Sequence, residues 1–312
     1  MVIRNIYLVL TLVSLSILLP NSKVTFGVIE HLLFNSNIIG ERKVEIYRPT
    51  NSPINNQTIF IFMQDGQMLF DKSITWNNQD WNIDEIFSNR NNKNNNIVII
   101  AVYSANKSGT GFFDNTNRYG EYFPKQSLKY FNKNIKTFIY KKFIDTKKYD
   151  YLKFLINELI PFVETKYNLK LNKNNTGIMG SSMGGLFALN AIIEYPERFG
   201  FAGCFSVHWI GIKPIDYLLL SFRKKVTKDK DLVEGLIKYV DMNIDNLNSH
   251  RLYFDFGTKG LDEFYSSPQK DIDKILTANE INFNSLKFEG HSHEEKYWAL
   301  RFENALSFLI NE

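Results

Sequence analysis

A serine between glycines is the residue of this 312-residue chain that is best placed for chemistry. Ser182 is the centre of a Gly-x-Ser-x-Gly run over residues 180–184, between a strand-like stretch at 175–179 and a helix-like stretch at 186–191. A sharp strand-to-helix turn holds a serine in a strained conformation and exposes its hydroxyl as a nucleophile. The next backbone N–H, from Met183, would then point at the developing oxyanion. Because the pattern alone also fits a plain glycine turn, its partners decide the interpretation.

Candidate partners follow the serine in the order acid, then histidine. Asp262 lies in the loop after a strand-like run at 252–256, with Glu263 as its competitor. His293 follows a strand that ends near residue 289, with His291 as its rival. This order is the one found in α/β-hydrolase triads, and it predicts Ser182 as nucleophile, Asp262 as orienting acid and a histidine base. A His-x-His pair can also bind metal, but no third ligand has a supporting spacing, so we expect no metal site.

The elements that must position these residues alternate along the chain, which predicts a mostly parallel, doubly wound sheet with helices on both faces. Together with the Gly-x-Ser-x-Gly turn between strand and helix, this pattern predicts an α/β-hydrolase fold. Strands are predicted at 28–34, 43–48, 57–63, 96–103, 176–180, 201–207, 251–256 and 284–289. Helices are predicted at 81–89, 147–167, 183–195, 229–248, 267–280 and 294–310. The carboxyl ends of such strands share one edge, where ligands and catalytic groups gather.

Length and composition favour one enzyme domain over residues 27–312. Two inserts, 104–146 and 208–250, are expected to shape the substrate site, and the apolar stretch 215–222 in the second is a candidate lid helix. The segment 1–26 has an early arginine and an apolar run from Ile6 to Pro20, which predicts a signal peptide or, second, an uncleaved anchor. We therefore expect an exported protein, periplasmic or secreted.

The charge and cysteine content exclude some partners. A net charge of +4 is too small to indicate nucleic-acid binding. We interpret the lysine clusters, such as Lys141 with Lys142, as solvated surface, with binding of an anionic ligand as the minority alternative. Cys204 is the only cysteine, so no intrachain disulfide can form, and its strand-like surroundings predict a buried thiol. The chemistry expected of Ser182 needs no cofactor.

With these residues in view, the chain resembles the putative-esterase family of α/β-hydrolases, which includes enterochelin, feruloyl and acetyl xylan esterases and mycolyltransferases. The resemblance covers roughly residues 40 to 312 and rests on five blocks in order. The blocks are 63–71 with 81–85, 117–124, the turn around Ser182, Gly257-Thr258 with Asp262 and Tyr265, and 288–290 with His293, Glu295 and Trp298. One departure is Met68, where the family usually has asparagine.

The resemblance also implies roles for particular residues. It selects His293 over His291 as the base, and it adds the backbone N–H of Gln67, after a predicted Asp-Gly turn, as a second oxyanion donor. Arg118 and Glu121 belong to a motif similar to Arg-x-x-Glu-Tyr-x-Pro. They are candidate substrate contacts, as is Trp209 in the second insert, although Arg118 and Glu121 fit a structural ion pair equally well.

The predicted function is therefore a serine esterase acting on a small-molecule or carbohydrate ester. The substrate is left open among a siderophore lactone, a feruloylated or acetylated sugar, and a small acyl ester. Acyl transfer to an alcohol is an alternative that the same residues would serve. A catalytically idle binding module is a further alternative, against which the intact Ser182, Asp262 and His293 argue.

Overall fold

The computed structural model describes residues 20–50, 52–90, 96–105, 115–145, 150–210 and 229–311. Its centre is one eight-stranded sheet with the strand order β1-β2-β4-β3-β5-β6-β7-β8. The strands are β1 Val28–Ser36, β2 Gly40–Arg48, β3 Ile59–Gln64, β4 Ile97–Val102, β5 Thr176–Ser181, β6 Phe201–Phe205, β7 Arg251–Gly257 and β8 Phe283–Phe288. The β1–β2 and β2–β4 pairs are antiparallel and the others are parallel.

Strand β4 is apolar along its whole length, and β3 is apolar except for its last residue, because both faces of the sheet are covered. In β3, Phe60 and Phe62 belong to the apolar cluster on one face, and Ile61 and Met63 to the cluster on the other. This alternation is the period of two that a strand imposes on its side chains. The sheet with its two apolar layers confirms the predicted fold class.

The described helices flank this sheet. They are α1 Ile83–Ser88, α2 Asn115–Tyr122, α3 Ile135–Asp145, α4 Tyr151–Phe154, α5 Ile160–Tyr167, α6 Met183–Glu194, α7 Lys230–Asp241, α8 Ser266–Ala278 and α9 Glu295–Leu309. A π-helical turn, Leu155–Leu159, joins α4 to α5. Apolar side chains of α6, α7 and α8 pack in the first cluster, and those of α1 and α9 pack in the second. No helix among the described residues is long and apolar enough to span a membrane.

The first insert differs from the sequence expectation, because residues 115–145 form α2, a 3-10 helix Lys125–Tyr130, and α3. The periodicity is weak there because α2 is buried over four consecutive residues, 119–122, and α3 has apolar residues on its exposed side as well as on its buried side. The candidate lid at 215–222 lies outside the described residues. Residues just before the predicted domain start are part of the fold: Ser22 N–H donates to Glu45, and Thr25 donates from its N–H and its hydroxyl to Asp84. The folded domain therefore includes Ser22 and Thr25, ahead of the predicted boundary at residue 26.

Candidate active site

Ser182 occupies the junction between β5 and α6, in a backbone conformation that residues other than glycine rarely adopt. Its φ is 58° and its ψ is −121°, outside both the helical and the strand regions. The turn is tight: a Cβ on Gly180 would lie 2.7 Å from the carbonyl carbon of Gly184. The Ser182 N–H donates to the Phe205 carbonyl at 2.8 Å, which fixes the turn against β6. Ser181, the neighbouring hydroxyl, is still part of β5.

His293 and Asp262 form the hydrogen bond expected of a base and its orienting acid. His293 Nδ1 lies 2.7 Å from Asp262 Oδ1. Asp262 is fully buried, and its Oδ2 accepts from the Gly257 N–H at 2.7 Å and the Ser206 hydroxyl at 2.8 Å. Burial alone would raise the pKa of Asp262, but the hydrogen bond and charge of His293, with those two donors, hold it below its ordinary value.

The competing residues of the sequence analysis have other partners. Glu263 is exposed, and its carboxylate accepts from the Gly260 N–H within its own turn. His291 accepts a hydrogen bond at Nδ1 from Arg301 Nε (3.2 Å), and its carbonyl accepts from the N–H groups of Thr258 and Lys259. His291 therefore fastens the loop that carries His293. Within the described ranges, no group of three or more His, Cys, Asp or Glu side chains is arranged to hold a metal.

Two residues connect the serine to the histidine side of the site. The His208 N–H donates to the Ser182 carbonyl at 3.2 Å, and His208 Nδ1 lies 2.9 Å from the Tyr265 hydroxyl. The Tyr265 ring in turn packs edge-on against the His293 ring, with centroids 5.5 Å apart. Burial, with the charges of His293 and Arg118, lowers the pKa of His208 to about 3. The neutral imidazole of His208 thus lies between Ser182 and Tyr265, the tyrosine that packs against His293.

The two predicted oxyanion donors lie at the start of helical turns, where N–H groups have no acceptor within the helix. Met183 is the first residue of α6, and Gln67 lies in the 3-10 turn Gly66–Met68 after β3. The Gln67 side chain is held at both ends by Ser104, through its Nε2 at 2.9 Å and its Oε1 at 3.2 Å. Gly66 is required here, because a Cβ would lie 2.7 Å from the carbonyl carbon of Ala101.

Arg118 lies at this same edge, paired with the carboxylate that precedes the Gln67 turn. Its Nε and Nη2 each lie 2.6 Å from an oxygen of Asp65, and its guanidinium lies over the Tyr122 ring at 5.1 Å. The Arg118 side chain remains 29% exposed, whereas that of Asp65 is 10% exposed. Of the three predicted substrate contacts, Arg118 is the one with a surface that a ligand could reach.

Glu121 and Trp209 do not fit the prediction that they contact substrate. Glu121 is buried, where its carboxylate pairs with Arg42 and accepts from the Ala105 N–H at 2.8 Å. Trp209 is fully buried, and its indole N–H donates to Gln269 at 2.8 Å. Both side chains act within the interior, because a buried ion or indole needs an internal partner. Arg118 and Glu121 are each ion-paired, but not with each other.

A buried polar network behind Asp262 was missed by the sequence analysis. Arg301, on α9, is fully buried; its Nη1 donates to Asp255 at 2.9 Å and to Ser206 at 3.3 Å, and its Nη2 lies 3.8 Å from Asp262. Trp298 Nε1 also donates to the Ser206 hydroxyl, at 3.0 Å. Burial raises the pKa of Asp255 to about 6, although Arg301 opposes the shift. Two features of the sequence could have indicated this network: Asp255 lies inside an apolar strand, and Arg301 lies among apolar residues of the last helix.

The fold is that of an α/β-hydrolase, with a strained serine after β5 and a hydrogen-bonded acid and histidine after the last two strands. A family model described as "Putative esterase" matches residues 36–309, and the chain belongs to that family. The predicted family is thereby confirmed.

Individual similar proteins agree with this assignment. A Bacillus subtilis (strain 168) protein, the uncharacterized protein YbbA, is 25% identical over 177 residues, which are 53% of this chain and 60% of that protein. A ferulic acid esterase structure superposes with a TM-score of 0.59 at 15% identity, covering 92% of this chain and 99% of that one. The enterobactin esterase FES from Shigella flexneri, in the presence of enterobactin, gives a TM-score of 0.63 at 15% identity, covering 92% and 60%. The two solved structures share the fold with this chain.

Proposed function

We propose that the protein hydrolyses carboxylic esters through an acyl-enzyme on Ser182. The observation that carries this proposal is the backbone conformation of Ser182, φ 58° and ψ −121°, at a strand-to-helix turn. Such strain persists where the surrounding structure enforces it, and here it lifts a hydroxyl out of the sheet. His293 takes the Ser182 proton as the oxygen attacks the ester carbonyl. The N–H groups of Met183 and Gln67 then donate to the tetrahedral oxyanion.

The second half of the reaction returns the enzyme to its starting state. His293, now protonated, gives its proton to the leaving alkoxide oxygen, so an alcohol departs and the acyl group stays on Ser182. A water molecule then attacks the acyl carbonyl while His293 takes its proton, and collapse releases a carboxylic acid and the serine hydroxyl. Throughout, Asp262 holds Nδ1–H of His293, which leaves Nε2 as the proton acceptor.

The substrate we propose is a siderophore lactone or a carbohydrate ester. The support is the family together with similar folds that carry the names ferulic acid esterase and enterobactin esterase. Acyl transfer is the second candidate, since an alcohol in place of water would attack the same acyl-enzyme. Product analysis with an added acceptor alcohol distinguishes the two, because transfer yields a new ester and hydrolysis yields only the acid.

The nucleophile is tested with a matched pair of serines. Ser182→Ala should abolish turnover of p-nitrophenyl acyl esters, aryl-ester sugars and a siderophore trilactone, whereas Ser181→Ala should retain it. A fluorophosphonate probe should modify Ser182, identified by peptide mass spectrometry. Labelling at Ser181, with an active Ser182→Ala variant, would overturn the assignment.

The base is tested with the two neighbouring histidines. His293→Ala should lower kcat by several orders of magnitude, as loss of a triad base does. His291→Ala should cost much less, because it removes a hydrogen bond from Arg301 and ring packing with Phe288 and Tyr297, none of which has a proposed chemical role. Equal losses in both variants, with metal found by elemental analysis, would favour a metal-dependent hydrolase instead.

We further propose that the N-terminal apolar run directs export. Because Ser22 and Thr25 pack on the folded domain, we expect processing before Ser22 rather than at residue 26. N-terminal sequencing of the protein recovered from the periplasm or medium tests this, and a mature protein that begins after Thr25 would refute it.

A further inference from the structure

Helix α3 presents an apolar face to solvent. Ile135 is 80% exposed, Phe138 59% and Ile139 56%, at the i, i+3, i+4 spacing that places side chains together on one helix face. Among the residues that the structure describes, the other exposed large apolar side chains do not form such a group. Val28 and Leu33 are five residues apart on β1 and so lie on opposite faces of the strand, and Trp76, Met242 and Leu300 lie elsewhere. An exposed apolar cluster of this kind indicates an interaction surface, whereas single apolar residues do not.

The helix is held to the domain by its opposite face, so the apolar face cannot turn inward. Tyr140 and Ile144 are buried. The Tyr140 hydroxyl is hydrogen-bonded to that of Tyr119, and its ring packs edge-on against Phe123 with centroids 5.4 Å apart. The exposed face of α3 is therefore a fixed feature of the folded domain.

The surroundings of this face are mostly basic. Residues 125–145 contain six lysines and one carboxylate, a net formal charge of +5. One acidic neighbour is Asp231, whose carboxylate accepts from the side-chain amides of Asn132 and Asn134 at 3.3 Å, just before α3. Lys133, Lys141 and Lys142 are exposed, and Lys142 Nζ lies 5.3 Å from the centre of the Phe138 ring.

We propose that this face of α3 docks on an anionic lipid surface. Large apolar side chains ringed by lysines are the pattern of helices that lie in a membrane interface, with the apolar side among acyl chains and the lysines at the headgroups. Each lysine near an anionic surface contributes about 1 kcal/mol. A second copy of the chain fits less well, because isologous contact would bring the same lysines against one another.

Docking of α3 on lipid would have a consequence for the candidate active site around Ser182. Tyr119, which bonds α3 through Tyr140, packs edge-on against the His208 ring with centroids 6.3 Å apart, and His208 bonds to the Ser182 main chain. An interface at α3 would thus bring lipid close to the elements that surround the serine. Esters that partition into lipid would then reach the site without crossing bulk water.

The test uses a local probe on the full-length chain. Cys204 is completely buried, so a single introduced cysteine can be labelled selectively with an environment-sensitive fluorophore. The probe is placed at Ile139→Cys, with Leu300→Cys on α9, 69% exposed, as the matched control. Vesicles of phosphatidylcholine alone are compared with vesicles containing phosphatidylglycerol. We expect a blue shift at position 139 with the anionic vesicles and none at position 300.

A charge variant completes the design. Lys141→Gln with Lys142→Gln should weaken binding to the anionic vesicles roughly tenfold or more, since two lysines contribute about 2 kcal/mol. An unshifted probe at 139, an equal shift at 300, or a shift that grows with protein concentration without lipid would each overturn the proposal, the last in favour of self-association. The measurement works equally well in a Ser182→Ala background, so its outcome is independent of esterase activity.

Discussion

Two buried carboxylates flank Ser182, and their partners differ. Asp262 directs one oxygen to His293 and the other to the Gly257 N–H and the Ser206 hydroxyl. Asp65 directs both oxygens to a single guanidinium, that of Arg118. Burial is therefore a poor guide to the role of a carboxylate, and its partners are a better one. An acid that holds an imidazole can fix a tautomer, while an acid that holds an arginine can only fix structure.

Asp65 also lies at a special backbone position. Its φ is 56° and ψ is 48°, and its N–H donates to the Tyr122 hydroxyl at 3.2 Å. It immediately precedes Gly66 and Gln67, so its pairing with Arg118 holds the loop that supplies the proposed second oxyanion donor. Asp262 is thus the acid proposed to orient the base, and Asp65 is the acid that holds the loop of the proposed oxyanion donor.

The largest effect should come from the acid that holds the base. Asp262→Asn keeps an acceptor for Gly257 and Ser206 but turns an amide toward His293, which leaves the imidazole in the wrong tautomer. We expect kcat to fall by roughly 10⁴-fold with little change in Tm. Glu263→Gln, in the same turn, should stay within about twofold, because its side chain is exposed. Retention of more than a tenth of kcat by Asp262→Asn would remove this residue from the proposed triad.

The next effect concerns the free energy of unfolding, through the buried pair Arg301 and Asp255 behind Asp262. Arg301→Met removes the partner of Asp255 at a site with no solvent, and loss of one member of a buried pair costs about 3–5 kcal/mol. Adding Asp255→Asn should recover part of that loss, because the uncompensated charge disappears. Chemical denaturation of both single variants and the double variant checks this. Strictly additive losses would mean that the two residues do not act as a pair.

Variants of Arg118, the partner of Asp65, should lose less activity than Asp262→Asn. Loss of an oxyanion donor costs about 10²–10³ in kcat, and Arg118→Met only loosens the loop that carries one, so a fall of about 10- to 100-fold is expected. Arg118→Lys should recover little, because lysine lacks the planar fork that grips both oxygens of Asp65. Arg198→Met, at an arginine whose Nε lies 4.0 Å from the carboxylate of the adjacent Glu197, is the control. Unchanged kcat in Arg118→Met would separate this pair from the chemistry.

The residues of the proposed triad could be predicted from the sequence because each follows a strand, and a strand can be recognised from a short apolar run of consecutive residues. All eight strands were predicted to within a few residues, and strand order along a parallel sheet brings their carboxyl ends together. The same logic explains the expected contact between Asp262 and His293, which are 31 residues apart in sequence yet follow adjacent strands.

The sequence did not show which charged residues pair with each other in the interior. Arg301 and Asp255 are 46 residues apart, and Arg42 and Glu121 are 79 apart, so no local pattern links them. A sequence shows which residues are charged, but pairing depends on the packing of distant elements. Glu121 illustrates this, since a motif placed it near the pocket and a remote arginine keeps it in the interior. Helix α3 illustrates the reverse, because its exposed face became visible only once its buried face was known.

The smallest effect concerns His208, which lies between the two sides. Burial lowers its pKa from 6.5 to about 3, so the folded protein excludes a proton that the unfolded chain binds below pH 6.5. The free energy of unfolding should therefore fall as pH drops from 7 toward 4, by at most about 1.4 kcal/mol per pH unit from this residue. His208→Gln retains a hydrogen bond to Tyr265 but cannot titrate, so its stability should depend on pH less steeply by up to about one proton. Tyr265→Phe, which keeps the buried imidazole, should retain the steeper slope. Urea unfolding of the three proteins at several pH values decides the matter, and parallel curves for wild type and His208→Gln would show that His208 is not the group that excludes the proton.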